Sequence, residues 1–201
     1  MVGGEKKVDR LVTAILAVVI IIAVAALIYV NLPHEESIPQ NSSSNSQTNE
    51  QAYLVISYGN KSFNYTMSEL MNMESYTGSG GYIKKSGTIV GPDNYTGVNV
   101  STLLQGFYNL PSNYTLTATA SDGYTVGYTY DEIIGHVPIY DESGNETGYS
   151  NLTMIIAYKE NGVLLNESTG GPFRVAFVDD GAISNSKLWV RNVVHLSIES
   201  S

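Results

Sequence analysis

The sequence predicts an α+β, β-rich mixed domain preceded by one transmembrane helix. Three observations predict it. A twenty-residue uncharged apolar run lies near the N-terminus. Beyond residue 50, short alternating apolar and polar segments are separated by Gly, Asn and Asp turn signals. Only three brief stretches carry helical spacing, and a mixture of this kind belongs to the α+β class.

In chain order, residues 1–10 read as a cytoplasmic N-terminus containing Lys6, Lys7 and Arg10. Leu11 to Val30 follow, long enough at 1.5 Å per residue to cross about 30 Å of hydrocarbon. Basic residues before the span, with Glu35 and Glu36 after it, place the N-terminus inside the cell membrane and the C-terminal domain outside. Ala23-Val24-Ala25 resembles a signal-peptide cleavage site, but the apolar run continues to Val30, which favours an uncleaved single-pass anchor in the lipid bilayer. Residues 31–50 hold two prolines and almost no apolar side chain, the composition of a flexible stalk. As a coil it would span roughly 25 Å.

Residues 51–201 form the outer domain. Ala52–Tyr58 reads as a strand, paired across Gly59-Asn60 with Asn60–Thr66. Met67–Met73 is a short helix, Tyr82–Val90 a strand, and Ser101–Tyr108 a helix capped by Asn99 or Ser101. Tyr114–Ala120 and Tyr124–Tyr130 flank the Ser121-Asp122-Gly123 turn, and Asp131–Gly135 is one helical turn. Leu152–Tyr158 and Val163–Leu165 flank Asn161-Gly162, a pair that adopts positive φ cheaply. Phe173–Val178 and Leu188–Ile198 complete the strands.

The formal net charge is −9, and residues 31–201 carry 7 basic against 17 acidic side chains. That balance argues against nucleic acid as a partner. The sequence contains no cysteine, which removes disulfides, thiolate metal ligands and a cysteine nucleophile. Nine Asn-x-Ser/Thr sequons occur, at Asn41, Asn60, Asn64, Asn94, Asn99, Asn113, Asn145, Asn151 and Asn166. Chance placement of 17 Asn and 36 Ser or Thr in those 171 residues would give fewer than half as many, so an extracellular glycoprotein is expected.

A run of motifs then resembles the molybdopterin-binding domain of the sulfite oxidase family. Tyr95-Thr96-Gly97-Val98-Asn99-Val100 with Leu103-Leu104 resembles its entry to a helix. Ser121-Asp122-Gly123-Tyr124 resembles its Asp-Gly-Tyr turn, and Ala157-Tyr158 with Asn161-Gly162 and Leu165 its hairpin. Gly170-Gly171-Pro172-Phe173-Arg174-Val175 resembles its Gly-x-Pro-x-Arg strand, and Lys187-Leu188-Trp189 its closing Lys-Trp segment. The resemblance covers residues 52–199 and implies a sulfite-oxidase-like fold. It would make Arg174 and Lys187 the cofactor-binding residues, clamping a pterin phosphate. The family's metal is ligated by a cysteine thiolate, which is lacking here, and Thr169 stands where a His-type contact is expected.

Beside the resemblance, each residue has a plain reading. Arg174 can pair with an acid on a neighbouring strand, Lys187 can be solvated, and Trp189 gains more from burial than display. Gly78-Ser79-Gly80-Gly81 reads as a flexible turn rather than a phosphate loop. His136 and His195 lack a legible carboxylate constellation for a metal, and Asp179-Asp180-Gly181 reads as a turn. No bound cofactor is expected, with molybdopterin the alternative. Three functions compete: a non-catalytic ligand- or protein-binding module that meets other cell-surface proteins, a molybdopterin-dependent oxidoreductase with altered metal ligation, and a structural cell-surface or pilus-like subunit.

Overall fold

The computed structural model describes residues 53–200. The expected transmembrane helix at 11–30, the stalk at 31–50 and the sequon at Asn41 lie outside the described residues. Among the described residues, no helix is long and apolar enough to cross a membrane.

Thirteen strands and three short helices follow one another as β1 Tyr53–Tyr58, β2 Lys61–Thr66, α1 Met67–Asn72, β3 Tyr76–Ile83, β4 Ile89–Asn99, α2 Val100–Leu104, β5 Tyr114–Ala120, β6 Thr125–Tyr128, α3 Tyr130–Ile133, β7 His136–Tyr140, β8 Glu146–Asn151, β9 Thr153–Glu160, β10 Val163–Leu164, β11 Arg174–Val178, β12 Ala182–Asn185 and β13 Val193–Ser200. Helical 3-10 turns occupy Glu167–Thr169 and Ser186–Leu188. The strands make two mixed sheets. One has the order β2-β1-β13-β5-β6. The other runs β10-β9-β4-β3-β12-β7-β8, with β11 also paired to β9. β1 pairs parallel to β13, and β3 parallel to β12.

Alternation writes the first sheet. β5 (Tyr114–Ala120) buries every second side chain, and its Leu116 and Ala118 stand opposite Ile198 and Leu196 of β13. Leu54 and Ile56 of β1 join them in a core shared with Val98, Ile155, Ile156 and Phe177 of the second sheet. Each fully buried side chain of this size contributes about 1.5–3 kcal/mol. The helices are short and depend on their caps. Thr66 and Glu69 form a capping box on α1, and Thr129 and Glu132 form another on α3. On α2, Asn99 Oδ1 accepts from Ser101 N at 2.9 Å. Such a cap is worth about 1 kcal/mol.

Three sequence expectations are corrected. The strand expected over residues 82–90 is two strands. Gly87, at φ 82°, closes a turn by donating its N–H to Lys84 O at 2.8 Å. Gly78-Ser79-Gly80-Gly81, read as a flexible turn, lies inside β3. A Cβ at Gly80 would stand 2.3 Å from Phe177 O, so these glycines permit β3 to cross closely over β11. The strand expected from Leu188 begins at Val193, because Ser186–Leu188 first makes a 3-10 turn capped by Asn185. The β7–β8 hairpin and β12 are additions that the sequence reading did not contain.

Candidate functional site

Arg174 begins β11, opposite Ala157 of β9, and is only 3% exposed. Its Cζ lies 5.1 Å from the Tyr95 ring centroid, 5.4 Å from Trp189 and 5.9 Å from Tyr82. Its Nη1 is 3.9 Å from Glu160 Oε2, while Glu160 Oε1 accepts the Tyr95 hydroxyl at 2.7 Å. Burial first, then donation to Glu160, raises the Tyr95 pKa well above the ordinary tyrosine value. Trp189 is held in turn by its Nε1, which donates to buried Ser184 Oγ at 2.8 Å. Among the described residues, Arg174 Nε and Nη2 have no hydrogen-bond partner, so the aromatic faces carry part of the compensation for this buried cation. The acid on a neighbouring strand expected for Arg174 is Glu160.

Lys187 is elsewhere. It is exposed in the Ser186–Leu188 turn and lines a cleft of about 390 Å³ with Lys84, Lys85, Tyr140, Asn185 and Ser186. Backbone register explains the gathering. In the parallel β3–β12 pair, Asn185 stands opposite Ile83, so both chains leave the sheet on the same side and carry Lys84-Lys85 and Ser186-Lys187 together. Asn185 fixes the second segment, since its Oδ1 accepts from Lys187 N at 2.9 Å. Arg174 does not line this cleft, so the expected clamp of Arg174 with Lys187 is split between the interior and the surface. Lys84 and Lys85 were missed by sequence reasoning, because nothing local announces a parallel partner a hundred residues away. A second hollow, of about 360 Å³, mixes Arg191 with Asp122 and Glu167 and offers no comparable excess of one sign.

The other candidates have structural duties. His136 is exposed on β7, with Nδ1 3.3 Å from Asn151 Oδ1 and its ring stacked on Tyr149. His195 lies on β13 of the other sheet, 2.8 Å from Ser57 Oγ. Asp179 accepts from the Tyr76 hydroxyl, and from Thr153 N and Oγ1 at 3.0 and 2.7 Å. No group of three potential metal ligands occurs among the described residues. Of the eight sequon asparagines in the described residues, seven are exposed, and Asn99 is half-buried as the cap of α2.

The donor set does not fit the molybdopterin that the resemblance implies. There is no cysteine for the metal. Thr169 is consumed in a reciprocal cap, its Oγ1 accepting from Asn166 N at 2.8 Å and its N donating to Asn166 Oδ1 at 3.2 Å. The guanidinium of Arg174 is enclosed by rings rather than presented to a cleft.

Topology and composition together define a β-rich mixed-sheet domain with few helices and no cysteine. Among solved structures, the chain is similar to the sulfane dehydrogenase SoxCD from Paracoccus pantotrophus, with a TM-score of 0.55 and 17% sequence identity over 75% of this chain and 38% of that one. The chain thus spans well under half the length of that structure. At this identity the likeness is one of fold, and it supports the sulfite-oxidase-like scaffold. No family model matches the chain, and no curated protein matches it.

Proposed function

We propose that this chain is a membrane-anchored extracytoplasmic binding module. It uses a sulfite-oxidase-like scaffold that lacks the molybdenum-ligating cysteine, and it takes an anionic group of a ligand or partner protein between Lys84, Lys85 and Lys187. The observation that carries this reading is the concentration of charge. The described residues contain seven Lys and Arg side chains, and three of them line one cleft. The domain as a whole is acidic and repels anions at long range. At physiological ionic strength, however, fields decay over about 8 Å, so the lysines govern the cleft at contact distance. The hydroxyls of Tyr140 and Ser186 and the amide of Asn185 add neutral partners that can orient a carboxylate or phosphate. The span at 11–30 and the stalk at 31–50 support a display role outside the membrane.

Calorimetric titration of the 51–201 fragment with pyrophosphate and with oligogalacturonate tests the cleft. One of these probes should bind with an affinity that falls as salt rises. Lys187→Ala and the Lys84→Ala/Lys85→Ala pair should each weaken it about tenfold or more, the scale of a charge-assisted contact. Binding that ignores all three substitutions, or no binding of either probe, contradicts the reading.

A further inference from the structure

The sequons sort by sheet topology. The first sheet ends in β2 and β6; the second ends in β8 on one side and, beyond β9, in β10 and the fully buried β11 on the other, so its exposed end strands are β8 and β10. The two longest of these edges are β2 and β8, with six residues each, against four in β6 and two in β10. Each long edge carries a pair of exposed sequon asparagines. Asn60 immediately precedes β2 and Asn64 lies within it, while Asn145 immediately precedes β8 and Asn151 ends it. The short edges have none within the strand, and Asn113 immediately precedes the interior strand β5. Asn166 lies two residues beyond β10, and Asn113 shares a hollow with Thr129, Tyr130 and Asp131 just beyond β6. Only Asn94 and Asn99 fall on an interior strand, β4.

An unpaired strand is a template for another copy's strand, and proteins blunt such edges with charge, proline, bulges or covering groups. β2 and β8 contain no proline, and each has one charged side chain, Lys61 or Glu146, at its first position. β2 keeps its register with β1 over its whole length, and β8 keeps its register with β7 from Gly148 to Asn151, with one bulge between Ile139 and Tyr140, so both present usable backbone donors and acceptors. Tethering to a membrane raises the encounter rate of such edges, since copies share a plane at a common height.

We infer that N-linked saccharides on Asn60 and Asn64, and on Asn145 and Asn151, cover the two long sheet edges and keep copies of this domain from pairing edge to edge. The donor class is a lipid-linked saccharide. The Asn Nδ2 forms a bond to the anomeric carbon as that carbon's bond to the lipid phosphate oxygen breaks, and the proton lost by the amide leaves with the phosphate. Asn99 stays bare, because its side chain is half-buried and its Oδ1 already accepts from Ser101 N and Oγ.

The inference rests on the outer location in the proposed function, so location is read separately, by protease treatment of intact cells. Peptide mapping of the full chain purified from its own membranes should find saccharide on Asn60, Asn64, Asn145 and Asn151 and none on Asn99. The full-length variant carrying Asn60→Gln, Asn64→Gln, Asn145→Gln and Asn151→Gln should keep its near-ultraviolet circular dichroism yet at least double its weight-average mass in detergent sedimentation. If that variant misfolds, Ser62→Ala with Thr147→Ala removes the sequons of Asn60 and Asn145 and leaves the asparagines in place, and it should shift the same way. A domain digested from outside but bare at all four positions overturns the inference alone. So does saccharide whose removal leaves the mass distribution unchanged. A domain protected from the protease overturns both the location and the inference.

Discussion

At Arg174 a permanent positive charge sits inside the protein with one carboxylate 3.9 Å away and three ring faces around it. Such a group is tolerated only while its neighbours stay in place, because an uncompensated buried charge costs several kcal/mol. Tyr95 is the keystone, since it contributes a ring face to Arg174 and a hydrogen bond to Glu160. Tyr95→Phe keeps the ring and loses only the bond, so it should destabilise the domain by about 1–2 kcal/mol in urea unfolding. The alkaline limit follows from the same residue. Tyr95 and Tyr128 both have pKa values raised by burial above the ordinary 10.0. A raised folded-state pKa contributes stability that is fully present below the unfolded value and lost as pH climbs toward the folded one. Unfolding free energy should therefore hold steady up to about pH 10 and fall above it, with a shallower fall in Tyr95→Phe. At this scale the sequence disclosed Trp189 as core and Arg174 as acid-paired, because the first follows from hydrophobicity and the second from the cost of burying a charge. It did not disclose Lys84 and Lys85, which are ordinary surface lysines until β12 arrives beside β3.

Among the elements, β3 shows where local reading misleads. Its Tyr76–Ile83 sequence holds three glycines, which weaken a strand by propensity and invite assignment as a turn. The reason for them is non-local: β3 lies against the Phe177–Val178 backbone of β11, and a Cβ at Gly80 would collide with a carbonyl oxygen. Gly80→Ala should cost about 3 kcal/mol or more and lower the melting temperature accordingly. Gly127→Ala on β6 is the matched control. Its nearest non-local neighbour would be Thr115 Cγ2 at 3.4 Å, ordinary contact distance, so thermal unfolding should move little or slightly upward. Hairpins with explicit turns, such as β1–β2, β5–β6 and β9–β10, were legible because turn residues and strand alternation are both local. The parallel pairs β1–β13 and β3–β12 were not, since nothing in a single strand's pattern names a distant partner.

For the whole molecule, the parallel pairings give the domain its architecture and also its cleft. They tie residues near 55 to residues near 196, and residues near 82 to residues near 184. The class of fold was legible from the order of strand and turn signals, whereas the separation of Arg174 from Lys187 depends on the packing of Tyr82, Tyr95 and Trp189 and had no sequence signal. If the apolar run is an uncleaved anchor, mass mapping of the mature protein should recover peptides containing Lys6 and Lys7, and a mature N-terminus just after Ala25 would refute the anchor.

The central claim is that this scaffold binds without redox chemistry, and the thiolate ligand, the His-type contact and an accessible Arg174 are all lacking for a molybdenum pterin. Elemental analysis of natively expressed protein for molybdenum and tungsten, with fluorescence assay of oxidised pterin on the same sample, tests it most directly. The account predicts only traces of either metal and no pterin, whereas close to one metal and one pterin per chain would contradict it.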